Sequence, residues 1–465
     1  MNTDFSSLLV PDRGQAARLI HLVDKHSFDE WAKTRPAEDR ALIEANRFDG
    51  RTAHSIVILP RPGAEFEVVA AVASADELSP WCLAKLAQML PEGSYRLATA
   101  APGGAALGWM LAQHRFDAYR SKKKALAGPR VLVTSDVVRI AEFVRLAEAT
   151  ALVRNLVDTP ANDLGPSELE QAARSAAEGF GGSVRVTGGD ALTEGYPLIM
   201  AVGRAASPDR APRLIEVEWG NPAHPRVAII GKGVCFDSGG LDIKNAGGMR
   251  LMKKDMGGAA HALALAQLIA GERLPVRLHL LIPAVENAVG GNAFRPGDIL
   301  RSRQGLQVEI DNTDAEGRLI LADALTRAAE DEPDLIIDFA TLTGAARIAL
   351  GPDLPAMFAN RDDLAGSIEA AATASDDPVW RLPLWDGYED MLKSDVADIV
   401  NSGGGMAGTI TAALFLRRFV PSEIPWIHLD TFAWRPTARP GRPKGGEALG
   451  LRAAFAMLQA RYKPS

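Results

Sequence analysis

The sequence predicts an α/β protein built from two domains, and three observations carry this prediction. Its 465 residues exceed what one ordinary hydrophobic core organises. Short apolar runs typical of strands alternate with segments of helical periodicity. A long segment of helical periodicity, residues 137–157, lies between the two parts, and a stretch rich in proline, asparagine and glycine follows it at 158–166.

Residues 1–136 are predicted to form the first domain, an α/β unit. Alternating apolar and polar residues favour strands there, and apolar groups at helical spacing favour helices. The strands are expected at 55–59, 67–72, 96–99 and 130–134, and the helices at 76–90 and 105–119. The basic run 122–124 is interpreted as a solvated loop, with a basic docking patch as the alternative.

Residues 137–166 are predicted to be a connecting helix and linker, and residues 167–465 the second domain. Strands and helices alternate again in this larger part of the chain. The expected strands are 183–186, 213–218, 226–230, 277–284, 307–310 and 334–339, and the expected helices are 167–178, 257–270, 319–329 and 409–419.

Charge and cysteine content exclude some classes of protein. The net charge of −7, from 51 basic and 58 acidic residues, argues against non-specific nucleic-acid binding through overall charge. Cys82 and Cys235 form no metal-binding spacing, which favours a reducing compartment. The first residues lack the basic and apolar regions of a signal peptide, and no uncharged apolar stretch reaches transmembrane length. We therefore expect a cytoplasmic protein without a membrane segment.

The most informative motif is the segment 312–319, which places Asp314 and Glu316 two residues apart. An alternating run precedes it and a helical pattern follows, so both acids are expected in a turn at the carboxyl end of a strand. Two carboxylates aimed at one point repel each other unless a cation holds them. The alternative is an ordinary solvated turn with acids at a helix N-terminus.

A second segment strengthens the metal hypothesis. The buried strand at 227–230 is followed by a glycine-rich stretch that contains Lys232 and Asp237. Lys244 comes next, and then the block 252–260, which contains Asp255. Together with Asp314 and Glu316 these residues supply four carboxylates, enough to bridge two divalent ions roughly 3.5–4 Å apart.

These blocks, 231–240, 252–260 and 312–319 with Lys244 between them, resemble the signature of the leucyl aminopeptidase family. Members of that family, also called cytosol aminopeptidases, are two-metal exopeptidases. The resemblance runs from about residue 154 to the C-terminus and is much weaker before it. It implies a smaller N-terminal α/β domain and a larger C-terminal catalytic α/β domain with a mixed sheet flanked by helices.

The resemblance also implies a role for each matching residue. Two divalent ions, zinc or manganese, would be held by Lys232, Asp237, Asp255, Asp314 and Glu316. Lys232 must then be a neutral amine, which a neighbouring dication makes feasible. Lys244 would stabilise the tetrahedral intermediate, since a fixed ammonium favours the negative charge that builds there. Arg318, with the backbone amide near Leu342, would hold a bicarbonate that shuttles the proton; the alternative for Arg318 is a simple ion pair with one acid.

A pocket for the first side chain of the substrate follows from the same resemblance. Met252, Thr341 and Gly344 match positions that line this pocket in the family. Phe432 and Arg435 occupy positions where the family has smaller or apolar side chains, and they are expected to narrow or polarise the pocket. The alternative is that this loop packs elsewhere and leaves the pocket unchanged.

The resulting hypothesis is a metallo-aminopeptidase that acts on short peptides with a free N-terminus and assembles as a homohexamer. A family member acting mainly in DNA binding or architecture is the alternative, which the acidic balance supports poorly. Another two-metal hydrolase, such as a phosphoesterase, is a weaker reading because the motifs contain no histidine ligands.

Overall fold

The computed structural model describes residues 3–99, 101–121 and 128–463. The basic run predicted as a loop at 122–124 lies outside these residues. Two compact units make up the chain: Met1–Ala151 with Thr437–Lys444, and Leu152–Pro436 with Gly445–Ser465. Within the described residues no helix is both long enough and apolar enough to span a bilayer.

The first unit is built on a mostly parallel sheet with strand order β1-β6-β5-β2-β4-β3, in which only the β3–β4 pairing is antiparallel among the described residues. Its core lies around Tyr95 and Trp109, whose rings meet edge to face. The elements are β1 Leu9–Pro11, β2 Arg18–Val23, α1 Phe28–Lys33, α2 Ala37–Ala45, β3 Ile56–Pro60, β4 Phe66–Ala71, α3 Ala84–Met89, β5 Gly93–Leu97, α4 Ala105–Leu111, β6 Arg130–Thr134 and α5 Ile140–Asp158, which continues into the second unit.

The second unit contains a mixed sheet with strand order β16-β15-β18-β14-β9-β11-β8-β7, and β10 pairs with β11. Its elements are α6 Pro166–Phe180, β7 Ser183–Gly188, α7 Gly189–Gly195, α8 Pro197–Gly203, β8 Arg213–Trp219, β9 Arg226–Gly231, β10 Gly233–Asp237, α9 Ala246–Met249, α10 Gly257–Glu272, β11 Arg277–Asn287, β12 Ile299–Arg301, β13 Gln307–Glu309, α11 Glu316–Ala329, β14 Leu335–Ala340, α12 Gly344–Leu350, β15 Ala356–Ala359, α13 Asp362–Ala374, β16 Trp380–Arg381, β17 Ile399–Val400, α14 Gly408–Arg417, β18 Trp426–Asp430, β19 Trp434–Arg435, β20 Gly445–Gly446 and α15 Leu451–Arg461.

The predicted fold class is confirmed. Strands β9, β11, β14 and β18 run parallel at the centre, and β8 and β15 pair antiparallel on either side. The central strands are buried along almost their whole length, as expected where helices cover both faces of a parallel sheet. Helix α10 is buried on nearly all sides, and α11 packs into a large apolar core together with α8 and α14.

Two predicted helices of the first unit are shorter than expected. The helix predicted at 76–90 is reduced to α3, because Pro80 lacks an N–H and restricts the residue before it. The helix predicted at 105–119 ends at Leu111. Strand β2, which was not predicted, pairs with β4 and β5 in the middle of the sheet.

Candidate metal centre

The candidate site lies where the parallel central strands end. Residue Lys232 follows β9, Thr341 follows β14, and β18 ends at Asp430. Strand register places Phe339 opposite Gly231 and Ala340 opposite Asp430, so these ends reach the same edge of the sheet. Open α/β sheets bind ligands at this edge, because side chains from neighbouring strands converge there.

The segment 312–319 differs from its prediction in two ways. Glu316 is the first residue of α11, so only Asp314 occupies the turn. The preceding strand β13 belongs to a small separate sheet with β12 and β17, and not to the main sheet. The helix start explains the first difference, since unpaired amides at a helix N-terminus favour an acidic side chain.

Gly317 lets the glycine-rich segment after β9 approach the start of α11. A Cβ atom at Gly317 would lie 2.6 Å from Cε of Lys232, so any larger residue would displace the lysine. Lys232 therefore passes across the start of α11 and reaches Glu316. A second turn, at Gly239 and Gly240 with φ of 86° and 64°, carries the chain from Asp237 towards Lys244.

Three of the predicted ligands form a buried cluster. One carboxylate oxygen from each of Asp237, Asp255 and Glu316 lies within 4.8 Å of the others. The side chain of Asp314 is about one-third exposed and lies at the edge of this cluster, where it contacts the ammonium of Lys244. The sequence prediction thus named residues that the fold brings together from three separate segments.

Lys232 lies inside the cluster. Its Nζ is 2.7 Å from Oδ2 of Asp255 and 2.9 Å from Oε1 of Glu316, and it donates to the carbonyl oxygen of Thr341 at 3.2 Å. Burial by itself would lower the pKa of Lys232, but Asp255 and Glu316 raise it above its ordinary value. The ammonium thus neutralises charge in the cluster when no other cation is bound.

Lys244 connects the remaining two acids. Its Nζ lies 2.8 Å from Oδ2 of Asp237 and also contacts Oδ1 of Asp314. Burial opposes its charge, while Asp237 and Glu316 favour it, and the net pKa of Lys244 is raised. A lysine held in this way remains charged and points into the space between the carboxylates.

The residues present fit a divalent cation. Both carboxylate oxygens of Glu316 are buried and accept no directed hydrogen bond from the described residues, although Lys232 approaches one of them. Burial and the neighbouring Asp237 raise the pKa of Glu316 to about 8, and the same two causes raise that of Asp314 to about 6. The two Glu316 oxygens have no directed hydrogen-bond donor among the described residues, and a hard cation would supply the partner that a buried charge requires.

Side chains that the sequence analysis did not assign to the metal centre orient these groups. Asn287 donates to Oδ1 of Asp237 at 2.9 Å, and the hydroxyl of Thr341 donates to Oδ1 of Asp255 at 2.8 Å. Asn401 donates to the carbonyl oxygen of Asn312 at 2.7 Å and fixes the turn before α11. Asn287 and Asn401 lie far along the chain from their partners, so no local pattern indicates them.

Arg318 and the amide of Leu342 each have a protein partner in this structure. Arg318 is buried, donates to the carbonyl oxygen of Asn401 at 2.8 Å, and leaves its Nε without a hydrogen bond to the described residues. Burial lowers the pKa of Arg318 to about 10. The amide of Leu342 donates to Oδ1 of Asp430 at 3.0 Å. Because a carboxylate already uses that amide, the predicted bicarbonate does not fit this pair as arranged.

A cavity of about 680 Å³ opens beside the carboxylates. Four of the predicted pocket residues line it, namely Met252, Thr341, Gly344 and Phe432. The walls also contain Lys254 and Arg347, which the sequence analysis did not select.

Arg435 is placed elsewhere, against the expectation that it polarises this pocket. It is buried, its Nη1 lies 3.1 Å from Oδ1 of Asp353, and its Nε donates to Oε2 of Glu447 at 3.3 Å. Arg154 also binds Glu447, through Nη2 at 2.9 Å. Since a buried guanidinium needs carboxylate partners, Arg435 packs into the protein and does not line the cavity.

Replacement of Arg435 by Met is expected to lower the free energy of unfolding by about 3 kcal/mol, because it removes one partner of a buried ion pair. Selectivity among first residues of a peptide should not change. Chemical denaturation of both proteins, with the same set of reporter substrates, tests this. Unchanged stability with an altered preference for acidic residues would place Arg435 in the pocket after all.

Comparison with known proteins shows the family of the chain. The family model described as "Cytosol aminopeptidase family, catalytic domain" matches residues 151–455. The model described as "M17 aminopeptidase, N-terminal domain" matches residues 19–131. A probable cytosol aminopeptidase from Syntrophotalea carbinolica is 42% identical over 369 residues, covering 76% of this chain and 73% of the relative. One from Roseiflexus castenholzii is 37% identical over 471 residues, covering 93% and 94%.

Solved structures show the same likeness. The cytosol aminopeptidase from Coxiella burnetii is 45% identical and superposes with a TM-score of 0.92, covering 98% of this chain and 99% of that one. The bottromycin maturation enzyme BotP, solved in complex with Mn, is 33% identical with a TM-score of 0.86, covering 96% and 100%.

The two-unit α/β fold and the buried carboxylates at its sheet edge define a metal-dependent hydrolase of the peptidase class. More specifically, the chain belongs to the cytosol aminopeptidase family and is an aminopeptidase. The family resemblance stated from the sequence is confirmed.

Proposed function

We propose that this aminopeptidase hydrolyses the N-terminal peptide bond of short peptides with a free α-amino group, and that it uses two divalent ions, zinc or manganese. The observation that carries the proposal is the pair of buried Glu316 oxygens without hydrogen-bond donors, inside a cluster with Asp237 and Asp255. Manganese in the structure of BotP, a protein of the same fold, supports a divalent ion of this kind.

Each residue near the cluster has a proposed role. Asp237, Asp255 and Glu316 would hold the ions, with Asp314 and the amine of Lys232 completing the set. When bound, two such ions would polarise the scissile carbonyl and acidify the attacking water. The chain's own acids therefore fix where the substrate carbonyl and the water meet.

Lys244 is the proposed stabiliser of the tetrahedral intermediate. Its side chain lines the cavity and already contacts Asp237 and Asp314, so a small movement brings its Nζ to a developing oxyanion. A prepositioned charge of this kind lowers the barrier, because it interacts more strongly with the intermediate than with the neutral carbonyl.

Arg318 is proposed to position these groups. Its guanidinium holds the carbonyl of Asn401, and Asn401 in turn holds the turn that carries Asp314. The amide of Leu342 already donates to Asp430, so a bicarbonate held there stays a prediction. The homohexamer and the cytoplasmic location stay predictions.

Removal of metal is expected to abolish activity and to be reversible. Elemental analysis should find close to two divalent ions per active chain, since the clustered carboxylates repel each other without cations. Treatment with a chelator, followed by a screen of aminoacyl reporters with Zn²⁺, Mn²⁺ and Co²⁺, tests both the metal and the reaction. Full activity with only trace metal would refute the proposal.

A further inference from the structure

The cavity beside the metal cluster contains two cations that the proposed chemistry does not use. Lys254 comes from a short turn at Met252–Lys254, and Arg347 from α12. They approach the ring of Phe432 from two elements: Nζ of Lys254 and Cζ of Arg347 each lie 5.2 Å from the ring centroid. Phe432 therefore holds two positive charges within one wall of the cavity.

Lys254 is buried, and within the described residues its only ion-pair contact is a long one that it does not have to itself. Its nearest acidic atom is Oδ1 of Asp255 at 3.8 Å, and that oxygen already accepts the hydroxyl of Thr341 at 2.8 Å. The other oxygen of Asp255 lies against Lys232. A buried ammonium in this position retains unused hydrogen-bond donors, which favours an anionic ligand.

Arg347 forms no ion pair with the described residues, and its guanidinium lies over the ring of Phe432. The nearby acid Asp430 is committed elsewhere: it accepts the amides of Leu342 and Thr343 at 3.0 and 3.3 Å, and the hydroxyl of Thr343 at 2.6 Å. The two cations therefore share a wall in which the acidic side chains already have other partners.

We propose that Lys254 and Arg347, set around Phe432, form a subsite for a carboxylate on the first side chain of the substrate, so that peptides beginning with glutamate or aspartate are favoured. This inference rests on the proposed function. The position of the two cations supports it, because they line the same cavity as Met252, Thr341 and Gly344, the residues predicted to contact the first side chain. Lys254 also adjoins Asp255, so the subsite lies on the metal-cluster side of the cavity.

The test compares kcat/KM for Glu, Gln and Leu aminomethylcoumarin reporters. Glu and Gln have nearly the same shape, so their ratio isolates the charge. We expect the wild-type protein to favour Glu over Gln by about 10–100-fold, the range for hydrogen bonds to a charged group. Lys254→Met and Arg347→Met should each reduce that ratio by about tenfold or more, and Lys254→Arg should retain most of it.

Arg250→Met is the matched control. Arg250 is an exposed cation near the same turn that does not line the cavity, so its loss changes net charge equally and should leave the ratio unchanged. If Lys254→Met fails to fold, two measurements still test the inference. These are the Glu-to-Gln ratio of the wild-type protein and the same ratio of Arg347→Met, which should fold because Arg347 is exposed.

Three outcomes overturn the inference. A wild-type Glu-to-Gln ratio near one does so, and so does a ratio that neither Met variant changes. The third outcome concerns the dipeptide Ala-Leu and its C-terminal amide. If the wild-type protein prefers the free dipeptide and the Met variants lose that preference, the two cations bind the C-terminal carboxylate and not the first side chain. If the protein cleaves the Leu and Gln reporters without preferring Glu, the proposed function stands and only the subsite is refuted. If it cleaves none of the reporters, both the proposed function and the subsite are refuted.

Discussion

Replacement of Glu316 by Gln is expected to lower kcat by about 10³-fold or more, well beyond the 10–100-fold typical of residues that only orient metal ligands. The substitution keeps the size of the side chain and removes one negative charge from the centre of the cluster. Both Glu316 oxygens lack hydrogen-bond donors among the described residues, so a bound cation depends on them directly. Elemental analysis should show less metal in the variant.

The fold should survive this change, because the substitution removes a carboxylate that burial and Asp237 already disfavour in its charged form. Circular dichroism and thermal unfolding of the metal-free proteins check this point. Glu178→Gln, at an exposed position of α6, is the matched control and should keep full metal content and rate. A Glu316→Gln protein with normal turnover would remove Glu316 from the proposed centre.

Substitution of Lys244 and of Lys232 is expected to affect different properties, kcat in the first case and metal binding in the second. Lys244→Ala should lower kcat by about 10²–10³-fold, the magnitude for loss of one oxyanion donor. Its metal content should stay nearly normal, since Lys244 is not proposed as a ligand. Lys232→Ala should instead weaken metal binding, because Lys232 lies between Asp255 and Glu316 and contacts both.

Paired measurements of metal content and kcat distinguish these roles, with the exposed Lys393→Ala as a control for general loss of a lysine. Excess metal in the assay should restore part of the rate in the Lys232 variant and none in the Lys244 variant. The reverse pattern would mean that the assignments of the two lysines must be exchanged.

The sequence was sufficient to predict the α/β class and to name acids that the fold brings together, because both are visible in local patterns. The role of these acids as metal ligands stays a prediction. Alternation of strand and helix periodicity marks the layers of the fold, and the acids lie in short glycine-rich blocks. Helix lengths in the first unit were less predictable. Pro80 lies inside the segment predicted as a helix, and α3 begins only after it, at Ala84. Periodicity alone does not weigh this effect of proline.

Residues that act through distant partners could not be selected from sequence. Asn287 and Asn401 are ordinary polar residues until the fold brings them against Asp237 and the turn before α11. Arg435 is the opposite case, because the sequence led us to expect it in the substrate pocket and the fold places it elsewhere. Its burial between Glu447 and Asp353 satisfies a charge that the cavity would have left to solvent.

The sequence by itself determined the chemical groups of this protein: its carboxylates, its two lysines near them, and the glycines that let Lys232 pass α11. Acids at this spacing repel each other unless cations are present, so they predict a metal site. Only the tertiary structure decided which charges remain without partners. It pairs Arg435 inside the protein and leaves Lys254 and Arg347 facing Phe432 in the cavity, since partnership depends on contacts between segments far apart in the chain.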